Sequence, residues 1–296
     1  MIAKLFRKEK TNRSEGNKKN KQLPGQEAIR SVDHYQQTTY PRQFNVGCAQ
    51  SVGRQRTHNE DSVYYNTSIF ADGKGSTEVG LFILADGMGG HRNGEVASAV
   101  TCRVVARNLI GFLNNQAYQH GTSLEAAEIV KQINNSIADA QEAVLQNAPG
   151  GGTTVVIALL IGNQLTVANV GDSRIYIAFD EGKLNQVTRD HSLVQRLMDL
   201  DEISPSEAEV HPQKNVLLRA IGQPQPFQAD IQTMEFPDAA KLLLCTDGLW
   251  GVVGNQNMCE IIKSEHDAIL ASKKLVDAAN RNGGPDNISV IIAGYR

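Results

Sequence analysis

Cysteine is scarce in this chain, and Cys48, Cys102, Cys245 and Cys259 show no C-x-x-C spacing. That argues against a cysteine zinc site and a disulfide framework, and it fits a reducing cytosol. Tryptophan occurs once, aromatics make up 5% of residues, and the formal net charge is only -3. A nucleic-acid groove of basic charge and stacking aromatics is therefore not expected. No apolar run approaches the ~20 residues of a membrane span. The charged N-terminus is not followed by the apolar core of a secretory signal. The glycine run Gly150-Gly151-Gly152 lacks the Gly-Lys-Ser/Thr of a phosphate-binding P-loop and reads as a turn.

What is present is an ordinary globular composition over 296 residues, preceded by a distinct tail. Residues 1–41 hold nine Lys or Arg against four Asp or Glu and no core pattern. They read as a basic, disordered tail. Ile2, Leu5 and Phe6 among the lysines offer weak contact with an anionic membrane, and the charge offers recruitment of an acidic partner. Residues 42–296 carry the folded pattern. Strands are expected from Phe44, over a hairpin spanning Val63 to Ala85, and at 153–161, 164–170, 174–179, 183–187, 229–236, 241–246 and 288–293. Helices are expected from Asn93, at 123–147 with Ser123 as N-cap, and near 255–263 and 267–281. Residues 190–222 read as short helices and loops over a cleft. This order is not a βαβ alternation, and it predicts antiparallel sheets packed together with helices outside.

One figure recurs along the chain. An apolar run, Leu81 to Ala85, stops on Asp86 and turns through Gly87, Met88 and Gly89. Lys241 to Thr246 stops on Asp247-Gly248, and Leu165 to Val170 leads to Gly171-Asp172. Asp286 stands before the strand at Ile288, and Glu60-Asp61 before the strand at Val63. A carboxylate at the end of a buried strand is costly unless a positive charge meets it. Several together, with no lysine beside them, suggest one converging oxygen-rich site suited to magnesium or manganese rather than zinc.

Two decoys are set aside. Cys48 and Arg54 match the C-x5-R spacing of thiol phosphatases, but Cys48 lies inside a strand pattern rather than in a loop that opens a helix. Asp190-His191-Ser192 names a triad, yet adjacent residues point in different directions and cannot take triad geometry.

Taken together, six stretches resemble the metal-dependent protein phosphatase family, protein phosphatase type 2C. They are Arg56-x-x-Asn59-Glu60-Asp61, Ala85-Asp86-Gly87-Met88-Gly89-Gly90, Gly152-Thr153-Thr154, Gly171-Asp172-Ser173-Arg174, Thr246-Asp247-Gly248-Leu249-Trp250 and Gly284-Pro285-Asp286-Asn287-Ile288-Ser289. They occur in the family's order across about residues 43–294. The resemblance implies an α+β fold, a four-layer sandwich of two antiparallel sheets flanked by helices, with metals in a cleft at one end. It implies that Asp86 bridges two Mg2+ or Mn2+ ions. Glu60 and the backbone oxygen of Gly87 would bind one of them, and Asp247 and Asp286 the other. Asp172 would help Asp247 hold a weaker third ion, Asp61 would hold metal-bound waters, and Arg56 would bind the substrate phosphate. Residues 190–222 match the flap that contacts substrate.

The implied activity is hydrolysis of phosphoserine and phosphothreonine in proteins. Two metals sharing a water would present hydroxide in line with the leaving oxygen, without a phosphoenzyme. Eukaryotic relatives carry a histidine where this chain has Met88, which likens it to bacterial members. Metal-held water, or else His91, would then supply the leaving-group proton. A monomeric, cytoplasmic enzyme opposing a serine/threonine kinase, without a transmembrane segment, is the expectation. A catalytically inactive regulatory module of the same fold is the alternative, and the filled metal positions speak against it.

Overall fold

The computed structural model describes residues 41–71, 75–89, 93–119, 124–223 and 227–296. Pro41–Arg296 forms one unit. The basic tail, Gly90, His91 and the expected helix cap Ser123 lie outside the described residues, apart from Pro41 at the tail's end.

Twelve strands and seven helices follow in the described residues, and most fall where the periodicity places them. One five-stranded sheet runs β1 (Phe44–Ser51), β12 (Ile288–Tyr295), β11 (Lys241–Cys245), β8 (Arg174–Phe179), β9 (Lys183–Gln186). The other runs β10 (Asp230–Glu235), β7 (Gln164–Val170), β6 (Val155–Ile161), β3 (Ser76–Ala85), β2 (Ser62–Ala71). Every pairing is antiparallel.

The period of two explains the layers. Along β3, Phe82 and Leu84 face the other sheet, where they meet Ile175, Ile177, Leu242, Leu244 and Ile291. The alternate residues Val79, Leu81, Ile83 and Ala85 face α1 (Asn93–Gln119) and α2 (Ala126–Asn147). On the first sheet, Leu243, Cys245, Val290 and Ile292 face α5 (Asp247–Trp250), α6 (Asn255–Ser264) and α7 (Ala268–Arg281). Both faces of each central strand are therefore covered, which is why β3, β6 and β11 read as continuous apolar runs rather than alternating ones. The result is the expected helix–sheet–sheet–helix sandwich.

Some expectations shift. The long helix α1 does reach the length and apolarity of a membrane span, with a mean hydropathy of 1.4 over its most apolar 18-residue window. Its buried face packs on β3, β6 and α2, so it is a core helix of this fold. The helix α2 starts at Ala126 after Glu125, without a side-chain cap. The short helices expected within 190–222 include α4 (Pro205–Val210), started by a Ser204/Glu207 capping box with proline in its first turn. Gly152 and Thr153 separate from β6 and form β5, pairing with β4 (Gly87–Met88).

Candidate metal centre

Ladder register gathers the acidic residues. Ser62 pairs with Ala85, so Asp61 and Asp86 leave the second sheet side by side. Val155 pairs with Val170, bringing the Gly171-Asp172 turn to the same end. On the other sheet Cys245 pairs with both Arg174 and Val290, so Asp247 and Asp286 also emerge there. Five carboxylates far apart in the chain thus share one end of the sandwich.

Backbone bonds fix their positions. The Asp86 carbonyl accepts from Thr153 Oγ1 at 2.8 Å and from the Thr154 N–H at 2.9 Å, while its own N–H donates to Thr154 Oγ1 at 3.0 Å. Gly87 donates to the Glu60 carbonyl at 3.2 Å. A Cβ on Gly87 would lie 2.3 Å from the Gly94 oxygen and 2.5 Å from that of Glu60, so only glycine fits. Asn287 ties the loops together: its side chain accepts from the Glu60 N–H at 2.8 Å and donates to the Val52 and His58 carbonyls, both at 2.9 Å. Asp61 Oδ2 accepts from Ser289 Oγ at 2.7 Å and Thr246 Oγ1 at 3.2 Å.

The charges of these groups are unbalanced. Burial first, and then the neighbouring carboxylates Asp61, Asp247, Asp172 and Asp286, push the Asp86 carboxyl well above its ordinary range. Burial and Asp247 do the same to Asp172. Burial raises Asp61 to about 7 and Asp247 to about 6, each with neighbouring carboxylates adding to the rise. Asp61 Oδ1 and Asp247 Oδ1 are buried without a hydrogen-bond partner. Orphaned carboxylate oxygens at a crowded, all-oxygen site fit hard divalent cations, which would relieve both the repulsion and the desolvation.

Among the described residues, no three acidic, histidine or cysteine side chains already stand as a coordinating cluster. Two of the expected ligands are engaged by the chain's own basic side chains. Arg56 Nη2 lies 2.7 Å from Asp286 Oδ2, and His58 Nε2 lies 3.0 Å from Glu60 Oε1. The described sequence-predicted site residues therefore meet at one end, while His91 lies outside the described residues. Asn287, Thr246, Ser289, Thr153, Thr154 and Trp250 serve as their supports, a role the sequence reading had not given them although they lie in the quoted motifs.

The decoys dissolve. Cys48 packs half-buried toward the inter-sheet core, and burial raises its thiol pKa. Asp190 accepts from Arg174 at 2.7 Å, Ser192 caps α3 (Leu193–Asp199), and His191 turns to Gly171 and Asp230.

A family model described as protein phosphatase 2C matches residues 54–277. The serine/threonine phosphatase stp of Listeria monocytogenes is 37% identical over 248 residues, covering 81% of this chain and 91% of its own. The solved serine/threonine phosphatase of S. agalactiae superposes with a TM-score of 0.71 at 30% identity, covering 86% of this chain and all of that one. The catalytic domain of PstP, solved in complex with two manganese ions, gives a TM-score of 0.67 at 30% identity, over 85% and 98% of the two chains. With matching spanning most of its length and a fold to agree, the chain belongs to the protein phosphatase 2C family.

Proposed function

We propose, from the carboxylates that the two sheets bring together, that this protein hydrolyses phosphoserine and phosphothreonine in phosphoproteins as an Mg2+- or Mn2+-dependent phosphatase. The single observation that carries the reading is the set Asp61, Asp86, Asp172 and Asp247, crowded at one end of the sandwich with two orphaned oxygens. The relatives' names and the manganese-bound neighbour support the same reading.

We assign residues 42–296 as the catalytic domain. Asp86 would be shared by two core ions, with Glu60 and the Gly87 carbonyl on one side and Asp247 and Asp286 on the other. Asp172 with Asp247 would hold a weaker third. Such ions, when bound, acidify water and neutralise phosphate. Asp61 is held by Ser289 and Thr246, and its other oxygen would orient metal-bound water. Arg56 stands at the rim, half-exposed, where its planar fork can take two phosphate oxygens. Met88 has no proton to give a leaving alkoxide. Cys102 and Cys245 are buried, and burial raises both thiols, Cys102 to about 12, which leaves them unsuited as nucleophiles.

An opposing serine/threonine kinase follows from the substrate class. The unpaired cysteines suit a reducing cytoplasm, and we read the enzyme as a monomer there. The test is phosphate release from a phosphothreonine peptide with Mn2+ and with EDTA, for the wild type and Asp247→Asn. Turnover that needs Mn2+ and is lost in the variant is the expected result; turnover that persists in EDTA overturns it, and none with any metal favours an inactive module.

A further inference from the structure

The turn that presents Asp172 is pinned from two directions. Downstream, the Asp172 carbonyl accepts from Trp250 Nε1 at 3.0 Å, and the Trp250 ring carries the Arg174 guanidinium 3.5 Å above its centroid. Upstream, Gly171 has a φ of +111°, a conformation that L side chains rarely adopt. Three contacts hold it. Its N–H donates to His191 Nδ1 at 3.2 Å, and its carbonyl accepts from the His191 N–H at 2.8 Å and from Asn169 Nδ2 at 3.2 Å. The peptide entering Asp172 is therefore oriented largely by one buried residue, His191, 7% exposed.

His191 is also the root of the flap. Its carbonyl accepts from the Leu218 N–H at 2.8 Å, and the Leu193 N–H donates to the Val216 carbonyl at 2.8 Å, so the two ends of the flap close on each other beside it. With Nδ1 accepting, the ring proton is assigned to Nε2, which lies 3.0 Å from Asp230 Oδ2 on β10 and 3.2 Å from Arg219 Nη1. Asp230 Oδ1 meanwhile accepts from Arg219 at the flap's far end, at 2.8 Å. Between its ends the flap is lightly held: α3 buries no residue and pairs with Arg189 through Asp199, and α4 buries only Ala208, while the far end is fixed by Ile221 pairing with Thr153. The Asp172 turn and the segment read as the flap thus share one clamp.

We propose that His191 is a positioning residue that joins the flap base to the Asp172 turn, so that order in the flap base and filling of the weaker metal site at Asp172 promote one another. This rests on the assignment of Asp172 as a ligand made above. By linkage, whatever factor the ion contributes to flap order, an ordered flap returns to the ion's affinity.

Calorimetric titration with Mn2+ resolves the weak site from the tight ones, and hydrogen exchange at amides 191–193 and 216–219 reads the flap base. In the wild type, filling the weak site slows that exchange. His191→Leu weakens the weak site about tenfold, the cost of losing a group that orients a ligand, and leaves the tight sites unchanged. It also abolishes the Mn2+ effect on exchange. His191→Asn, whose side-chain oxygen replaces the Nδ1 acceptor, restores the weak site. Asp230→Ala touches a half-exposed carboxylate outside the core, so it keeps the fold while loosening the clamp, and it gives a smaller change of the same kind. The clamp is overturned if His191→Leu and Asp230→Ala leave the weak site intact while Asp172→Ala abolishes it, or if all Mn2+ sites weaken equally. An Asp172→Ala protein that retains the weak site overturns the ligand assignment itself, and the clamp falls with it.

Discussion

Arg56 Nη2 and Asp286 Oδ2 lie 2.7 Å apart, so the residue read as the phosphate binder is paired with a residue read as a metal ligand. Each is the other's substitute partner. On the proposed roles, a divalent ion taking Asp286 would free the Arg56 fork for a phosphate dianion, and that exchange would link metal loading to substrate affinity.

Removing Arg56 tests that exchange. A charge-assisted hydrogen bond is worth about 1.5–3 kcal/mol, so Arg56→Ala lowers kcat/KM for a phosphopeptide about 10–100-fold. The loss falls mainly on KM if the arginine binds ground state and transition state alike. Arg56→Lys does not restore the wild-type value, because an ammonium cannot make the paired contacts of the fork. Steady-state kinetics at saturating Mn2+ decide this.

Asp247→Asn separates activity from stability. It removes one negative charge from the crowded end of the sandwich, where Asp247 Oδ1 already lacks a partner. Mn2+-dependent turnover is lost, while the metal-free protein at pH 8 melts at a higher temperature than the wild type. A variant less stable than the wild type in EDTA would show that the carboxylate is needed for the fold itself.

The same crowding sets a pH dependence. Folding raises Asp61 to about 7 and Asp247 to about 6, above the ~3.9 of an unfolded aspartate. The folded state then binds more protons than the unfolded one between those values. The stability contributed by these groups is complete below about pH 4 and is lost as pH rises through 6 to 7. In EDTA the melting temperature is therefore higher at pH 5 than at pH 8. Mn2+ raises it at pH 8 and flattens the slope, and Asp61→Asn flattens it without metal. Thermal melts across pH, with and without Mn2+, measure both effects.

Asn287 carries a structural prediction. Its side chain makes three hydrogen bonds that join the Val52, His58 and Glu60 backbones. Asn287→Ala leaves the Glu60 N–H without that acceptor and costs about 2–3 kcal/mol in urea unfolding. It also raises the Mn2+ concentration needed for half-maximal turnover, because Glu60 is no longer held in place. Unchanged stability would mean that water replaces the lost partners.

The local figure of apolar run, carboxylate and glycine was legible because it is written in consecutive residues. Leu81 to Asp86 and Leu242 to Asp247 announce both a strand and its end. Secondary structure was legible wherever periodicity was strong, and its bounds were left open in 190–222, where caps such as Ser204 and Glu207 decide short helices. The partners of Asp61 were not legible: Thr246 and Ser289 are separated from it by 185 and 228 positions. Nor was the Arg56–Asp286 pair, with 230 positions between its members.

The sequence alone determined the chemistry available to this protein: carboxylates suited to hard cations, a guanidinium suited to phosphate, and no thiol pattern that would serve as nucleophile. It also determined the two-sided burial of the central strands, since a period of two and a continuous apolar run are properties of neighbouring residues. Only the tertiary structure decided which strands meet, and hence that five carboxylates leave two different sheets at the same end. Only it decided that His191, met in the sequence as a false triad member, stands between the flap and Asp172. Side-chain type is inherited from the chain, whereas proximity across hundreds of residues is set by ladder register and sheet packing, and those are settled by the whole core at once.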